Sequence, residues 1–442
     1  MSAQIIPSKT QAETGLAEVY GAVKAKLPGN AAVIKLRDDA FSAFSEAGLP
    51  HRRIESWHYT DLRTLMREAL PIAPAPSAAA IEALRKEIGT DLKQKLVLVD
   101  GVFAPELSDA LPEGISVRSL ASVLAEGKTD LITLISGMGL GSEDPIVALN
   151  AALMQDGVVL EVAPGAVIAE PVNILYATAS ATPAASFSRS LVVVGKGASV
   201  RIAESSIGSG GRTGQTFGAL IFSVGDEANV GHTLMLTKTV AGSVRLETFI
   251  VEIGAKAKFD SFALIAGSGL VRRQIFMRFA GDESEGAVRG VSLLRGKEHA
   301  DTTLFVEHVG QSCMGRETFR YILDGESTGI FQGKIRVAPG AQKTDGKMLS
   351  RALLLTDMVA MNNKPELEIF ADDVACGHGA TCGGLAEDQI FYLQARGIPY
   401  ADAESLLLEA FAAELADEIP SEALVEIFRA EIANWLSERV KA

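Results

Sequence analysis

A mainly β protein, built on a parallel β-helix with helical segments at both ends, is what this chain predicts. Three observations carry that expectation. From about residue 155 to 375 helical periodicity disappears, and short runs rich in Val, Ile, Leu, Phe and Thr alternate with glycine-containing turns. Within that stretch one unit recurs: an apolar run, Gly, Ala, and a second short run. It reads VLEVAPGAVI (159–168), LVVVGKGASVRI (191–202), IFSVGDEANVGH (221–232), FIVEIGAKAKFD (249–260) and MRFAGDESEGAVRG (277–290). With Ala166, Ala198, Ala228, Ala257 and Ala287 as markers, the steps are 32, 30, 29 and 30 residues. A fixed period of this size indicates a solenoid, a propeller or an array. Helical repeats would show a 3.6 period, and propeller blades usually need about 40–45 residues. Two or three short strands per unit fit a β-helix, in which each coil stacks on the next. The Gly-Ala corner has a reason: there the backbone approaches the neighbouring coil and can require positive φ.

The predicted organisation is a mostly helical, α/β N-terminal domain over 1–154, the β-helix over 155–383 and a helical C-terminal domain over 384–442. In the first part, 10–27 carries apolar residues at helical spacing and is stopped by Pro28-Gly29-Asn30. A second, short helix is expected over 38–50, ended by Gly48 and Pro50. Residues 71–89 begin as a Pro/Ala-rich connector and continue as a helix. KLVLVDGVF (95–103) reads as a small hairpin turning at Asp-Gly. In the tail, one apolar stripe comprises Ala403, Leu406, Leu407, Ala410, Phe411 and Leu415. A second comprises Leu424, Ile427, Phe428, Ile432, Trp435 and Leu436, with Pro420 and Ser421 at the boundary. These two helices either cap the open end of the solenoid or also present a docking face.

Composition narrows the function. Forty-one Lys and Arg against fifty-five Asp and Glu leave a net charge of −14, which repels phosphate backbones and argues against nucleic-acid binding. Three cysteines, Cys313, Cys376 and Cys382, make no disulfide framework and fit a reducing compartment. The first residues lack the pattern of a signal peptide, and no apolar run reaches membrane-spanning length. The expected location is the cytoplasm.

Catalytic motifs are missing. GSGGRTGQT (208–216) lacks the lysine of a phosphate loop, so any use of ATP must come from a partner. The idea of a catalytic triad fails, since the six histidines are scattered. A carbohydrate lyase on a β-helix would need clustered acidic and basic groups on one flank, and usually secretion. The sharpest constellation is ADDVACGHGATCGG (371–384). If Val374–Ala380 forms the last strand, Cys376 and His378 point to the same face, and Cys382 follows after a further turn. A neutral imidazole, and a thiolate if its pKa is lowered, suit soft transition metals and iron–sulfur chemistry. Two cysteines and one histidine fall short of a four-ligand zinc site. The bland alternative is buried free cysteines beside a packed histidine. An incomplete ligand set makes most sense at an interface, where a partner supplies the rest.

The block 343–398 resembles the SufB/SufD core family, on its SufD side. The carrying pieces are Lys343-Thr344-Asp345, Pro365-Glu366-Leu367-Glu368-Ile369, Ala371-Asp372-Asp373-Val374, Cys376-x-His378-Gly379-Ala380-Thr381 and Asp388-Gln389-Ile390-Phe391-Tyr392-Leu393. GLPHRRIESWHYTDLRTLM (48–66) is similar to the family's N-terminal signature. The resemblance implies a right-handed β-helix in a cytosolic complex with a SufB paralogue and the SufC ATPase. It implies a non-catalytic scaffold subunit, SufB–SufD pairing through the β-helices, and a transient iron–sulfur cluster formed at that interface. His378 would be the first ligand contributed by this chain, with Cys376 beside it. SufC would dock on the C-terminal helices, and its ATP binding would move the two β-helices and expose the site. The chain alone could also form a homodimer. SufB chains tend to read E-H-E-A-T where this one reads Gly377-His378-Gly379-Ala380-Thr381, which favours the SufD side. The alternatives are a SufB-like main scaffold and a purely structural β-helix partner. Cys313 and Cys382 receive no role.

Overall fold

The computed structural model describes residues 9–89, 92–207, 213–237, 240–267, 269–419 and 422–441. The glycine-rich residues 208–212 and the Pro420-Ser421 boundary lie outside them. Helices α1 (Gln11–Val23), α2 (Ala31–Ala47), α3 (Leu62–Leu65) and α4 (Ala78–Ile88) come first. Strands β1 (Lys95–Val99), β2 (Val102–Phe103) and β3 (Ile115–Ser119) follow, then α5 (Leu120–Glu126), α6 (Thr129–Ile135) and α7 (Pro145–Leu153). After them the chain winds into a parallel solenoid of about seven turns.

Successive strands alternate between two sheets. One contains β4 (Val158–Val162), β6 (Ala184–Val194), β8 (Gly214–Val224), β10 (Val244–Ile253), β12 (Leu270–Phe279), β14 (His299–His308), β16 (Thr328–Val337) and β18 (Ala360–Ile369). The other contains β5 (Val172–Ala177), β7 (Ser199–Ile207), β9 (Asn229–Leu236), β11 (Lys258–Ala266), β13 (Glu285–Leu294), β15 (Met314–Leu323), β17 (Asp345–Leu354) and β19 (Gly377–Gly383). Every one of these neighbours pairs in parallel, as in Leu270↔His299↔Thr328. Inward side chains such as Phe249, Ile275, Phe279, Val306, Phe331 and Ile335 fill the lumen. Helices α8 (Glu387–Ala395), α9 (Tyr400–Ala416) and α10 (Glu422–Lys441) close the chain.

The corner before each strand of the second sheet explains the repeat. A Cβ at Gly281 would fall 2.0 Å from Ala255 N, and one at Gly310 would fall 2.3 Å from Gly281 O. Only glycine lets the coils approach so closely. Two residues on, the backbone turns left-handed, at Gly165 and Gly197 and then at Glu227, Lys256, Glu283, Ser312 and Lys343. That turn aims the N–H along the solenoid axis, so Glu227 donates to Ala255 O and Lys256 to Asp282 O in the next coil. The following residue is small and buried: Ala198, Ala228, Ala257, Ser284, Cys313, Thr344. Ala287 does not belong to this column. It lies inside β13 opposite Asp260, because that coil is shorter and Lys258 pairs with Glu285. Cys313 is thereby explained as a corner residue, with its Sγ 3.3 Å from Ser284 Oγ and 3.3 Å from Gly281 O.

The two ends differ. At the start, β3 lies antiparallel on β4, and the hairpin of β1 and β2 joins the other sheet through β5. At the finish, β18 and β19 are the outermost strands and carry no further strand among the described residues. The C-terminal helices do not cover that end. They pack against the outer flank of the second sheet, where Leu408, Ala412, Phe428, Ile432 and Trp435 meet Phe262, Leu264, Val291, Leu293 and Ile322. Accordingly α9 buries Ala403, Leu408, Ala412, Ala413, Leu415 and Ala416, whereas Leu406 and Ala410 of the expected stripe face outward. In α10, Phe428, Ile432, Trp435 and Leu436 are buried and Ile427 is exposed. The helix expected over 38–50 is longer: Asn30 Oδ1 accepts from Ala32 N and Val33 N and starts α2 at Ala31.

The stretch 48–66 clamps the first part of the chain onto the outer face of the first sheet. Arg272, fully buried, stacks on the Trp57 ring at 3.6 Å, pairs with Asp301 and donates to Ser56 O. Thr60 donates to Asp301, and Trp57 Nε1 donates to Asp144 at 2.8 Å. Removing one member of a buried ion pair strands the other, at about 3–5 kcal/mol. Asp301→Ala is therefore expected to lower the chemical-denaturation stability by that order. The double variant Arg272→Met/Asp301→Leu should recover most of the loss; an Asp301→Ala change below about 1 kcal/mol would show that the clamp does not hold the chain together.

Candidate functional site

The outer cover of the solenoid runs out toward its last coil. β17 alternates buried and exposed residues, β18 is half-buried along most of its length, and β19 is mostly exposed. The strand expected over Val374–Ala380 is observed three residues later, at Gly377–Gly383. Its register places Gly377 opposite Lys347, His378 opposite Met348 and Cys382 opposite Ala352. Met348 and Ala352 point into the lumen, so His378 and Cys382 share that face at the open rim, and both are exposed. Cys382 thus sits in the same strand as His378 rather than after a further turn.

Cys376 precedes the strand, where Ala375 N donates to Thr344 O and keeps the coil in register. Its half-buried side chain packs against the lumen core. It lies on the same face of the same coil as His378, two residues before it. Burial pushes the Cys376 thiol up, and the nearby acidic groups Asp345 and Glu317 act in the same direction. The thiolate anticipated from the sequence is therefore disfavoured in the isolated chain. Among the described residues no three His, Cys, Asp or Glu side chains form a group able to hold a metal ion. This chain alone presents ligands singly along an edge.

Behind Cys376 lies a pair that sequence reasoning missed. His308 ends β14 and Glu317 sits in β15, and both are fully buried. Neither ring nitrogen of His308 and neither carboxylate oxygen of Glu317 has a hydrogen-bond partner. Burial lowers the His308 imidazole to about 4 and raises the Glu317 carboxyl to about 8. The available signal was a Glu in the apolar phase of an alternating strand, since Gly315, Glu317 and Phe319 all face inward.

These directions have opposite consequences for stability. A raised carboxyl favours the folded state at low pH, and that contribution is lost as pH rises through about 8. The depressed His308 favours the folded state above its ordinary value of 6.5, and that contribution falls away toward about 4. Between pH 6.5 and 8 only Glu317 of this pair is changing. In metal-free buffer, Glu317→Gln should remove a loss of stability between those pH values, measured by urea unfolding; an unchanged slope would exclude Glu317 as its source.

Residues 11–174 match the SufBD protein N-terminal region, and residues 176–411 match the SUF system FeS cluster assembly SufBD core domain. The chain is 29% identical over 401 residues to an iron–sulfur cluster assembly SufBD family protein of Synechocystis sp., covering 88% of each chain. It is 29% identical over 394 residues to the iron–sulfur cluster assembly protein SufD of Escherichia coli, covering 88% of this chain and 90% of the relative. The SufD protein of Bacillus subtilis is 27% identical over 304 residues, or 68% of each chain. With more than half of its length matched by the core domain, and with a parallel β-solenoid between terminal helices, this chain belongs to the SufBD family of the SUF iron–sulfur cluster assembly system.

Proposed function

We propose that this chain is a non-catalytic scaffold subunit that works in the cytoplasm with a SufB-type paralogue and a SufC-type ATPase. Its cargo is a nascent iron–sulfur cluster formed where the two β-helices meet. The carrying observation is His378, exposed at the rim of β19, an edge strand with no outer neighbour among the described residues. A parallel strand with a free edge is a template for main-chain pairing with a second chain. Pairing there would bring the partner's ligands to His378 and so complete a set that this chain lacks. No helix among the described residues is long and apolar enough to cross a membrane.

Because His378 is exposed rather than packed, His378→Ala should leave the thermal melt and co-purification with both partners unchanged. Cluster assembly in a complementation assay should be lost. Cys376→Ala should reduce assembly less, since its thiol is partly buried and held neutral. Normal assembly by His378→Ala would sink this reading and leave a purely structural partner.

The docking face for the ATPase is assigned to the outward side of the C-terminal helices, where Leu406 and Ile427 remain exposed. Deleting these helices would bare the flank at Phe262 and Val291, so point changes are the cleaner test. Leu406→Glu and Ile427→Glu should keep the fold and weaken capture of the ATPase by about tenfold, the size of one lost apolar contact of about 1.4 kcal/mol. Full-strength capture by both variants would place docking elsewhere.

A further inference from the structure

We propose that a gap inside the last coils is a binding site for one divalent first-row transition-metal ion, held by His308 and Glu317 with Cys376 at its rim. It stands apart from the His378 edge and does not depend on the interface reading. Two inward positions lack side chains here: the polar ends of His308 and Glu317 press against Gly315, and the room for a further atom lies beside Gly346. A methyl group at Gly315 would sit 2.9 Å from Glu317 Oε1 and 3.1 Å from His308 Nε2. One at Gly346, a coil further on, would sit 3.5 Å from Cys376 Sγ and 3.7 Å from His308 Nε2. Three donor atoms from three different segments thus wall one space.

The polar groups facing this space are unusually placed. His308 and Glu317 are both fully buried, and all four of their polar atoms lack hydrogen-bond partners. Leaving such groups unpaired is costly, and native interiors rarely do so without a bound species to satisfy them. The His308 ring stacks on Phe279, with centroids 4.3 Å apart and planes 9° from parallel, which fixes the direction of Nε2. Imidazole nitrogen, carboxylate oxygen and a cysteine sulfur suit iron(II), cobalt(II) or zinc(II) better than calcium or magnesium. No three such groups converge as the side chains stand. The ion therefore takes His308 and Glu317 first and completes its shell with water. Cys376, on the outermost coil, joins by rotating inward and releasing its thiol proton to solvent.

The test uses the full-length chain, stripped with a chelator and titrated with cobalt(II) chloride by equilibrium dialysis and visible absorption. Glu317→Gln keeps the shape of the side chain. Gly346→Ala fills the gap at ordinary contact distance, so both variants should fold, with a thermal melt as the check. Each should weaken cobalt binding at least about tenfold, and Cys376→Ser should abolish any sulfur-to-cobalt band in the near ultraviolet. Binding by the wild type no tighter than by Glu317→Gln, or binding indifferent to Gly346→Ala, overturns the site. If cobalt is lost only in His378→Ala, the metal sits at the strand edge and the lumen site is wrong. Cluster assembly by the same His378 variant is a separate readout, so the two ideas fail independently.

Discussion

Everything in this molecule depends on the parallel ladder, in which each strand is satisfied only by the strands one coil before and one coil after. A backbone N–H or C=O left without a partner in a buried setting is costly, so a solenoid has to resolve its first and last coils differently from the rest. Here the first coils are resolved within the chain. The antiparallel strand Ile115–Ser119 and the hairpin 95–103 lie over them. The last coil is not, and its strands meet solvent at residues 360–369 and 377–383. The residues singled out for cluster chemistry are attached to that unsatisfied edge.

The same ladder explains what the lumen can hold. Inward positions stack in columns, so a feature in one coil is set beside those of its neighbours by register alone. Ser284, Cys313 and Thr344 form one such column at the corner. Gly315 and Gly346 form another, and their missing side chains leave His308, Glu317 and Cys376 facing a shared space. His308 and Glu317 arise from opposite sheets, and Cys376 from two coils on. Their meeting is a property of winding, not of local sequence.

That distinction marks how much could be read beforehand. The period was legible because the Gly-Ala corners of the first coils carry the same two residues, each imposed by backbone proximity. It blurred at Ala287 because Ser284 had taken the corner position in a shorter coil. The pairing of Cys376 and His378 on one face followed from strand alternation and the family resemblance, although the strand begins later than expected. The buried pair escaped because one glutamate among apolar neighbours shows its meaning only once the opposite sheet is in place. The tail helices were found, and the stripe of α10 is largely the buried one, but the face of α9 was turned: in an alanine-rich helix such as 400–416 nearly every phase has apolar residues, so the flank of the second sheet, not the sequence, selects Leu408 over Leu406.

The antiparallel strand at the start of the solenoid also makes the two ends of the stack unlike. A stack with two free ends can add units indefinitely and grow as a fibre, because each addition regenerates the surface just consumed. Here the ends differ: β3 lies antiparallel at one edge of its sheet, whereas β18 and β19 end the stack as parallel strands. The stack is thereby polar: its two ends offer edges of different strand direction, and that polarity comes from one five-residue strand.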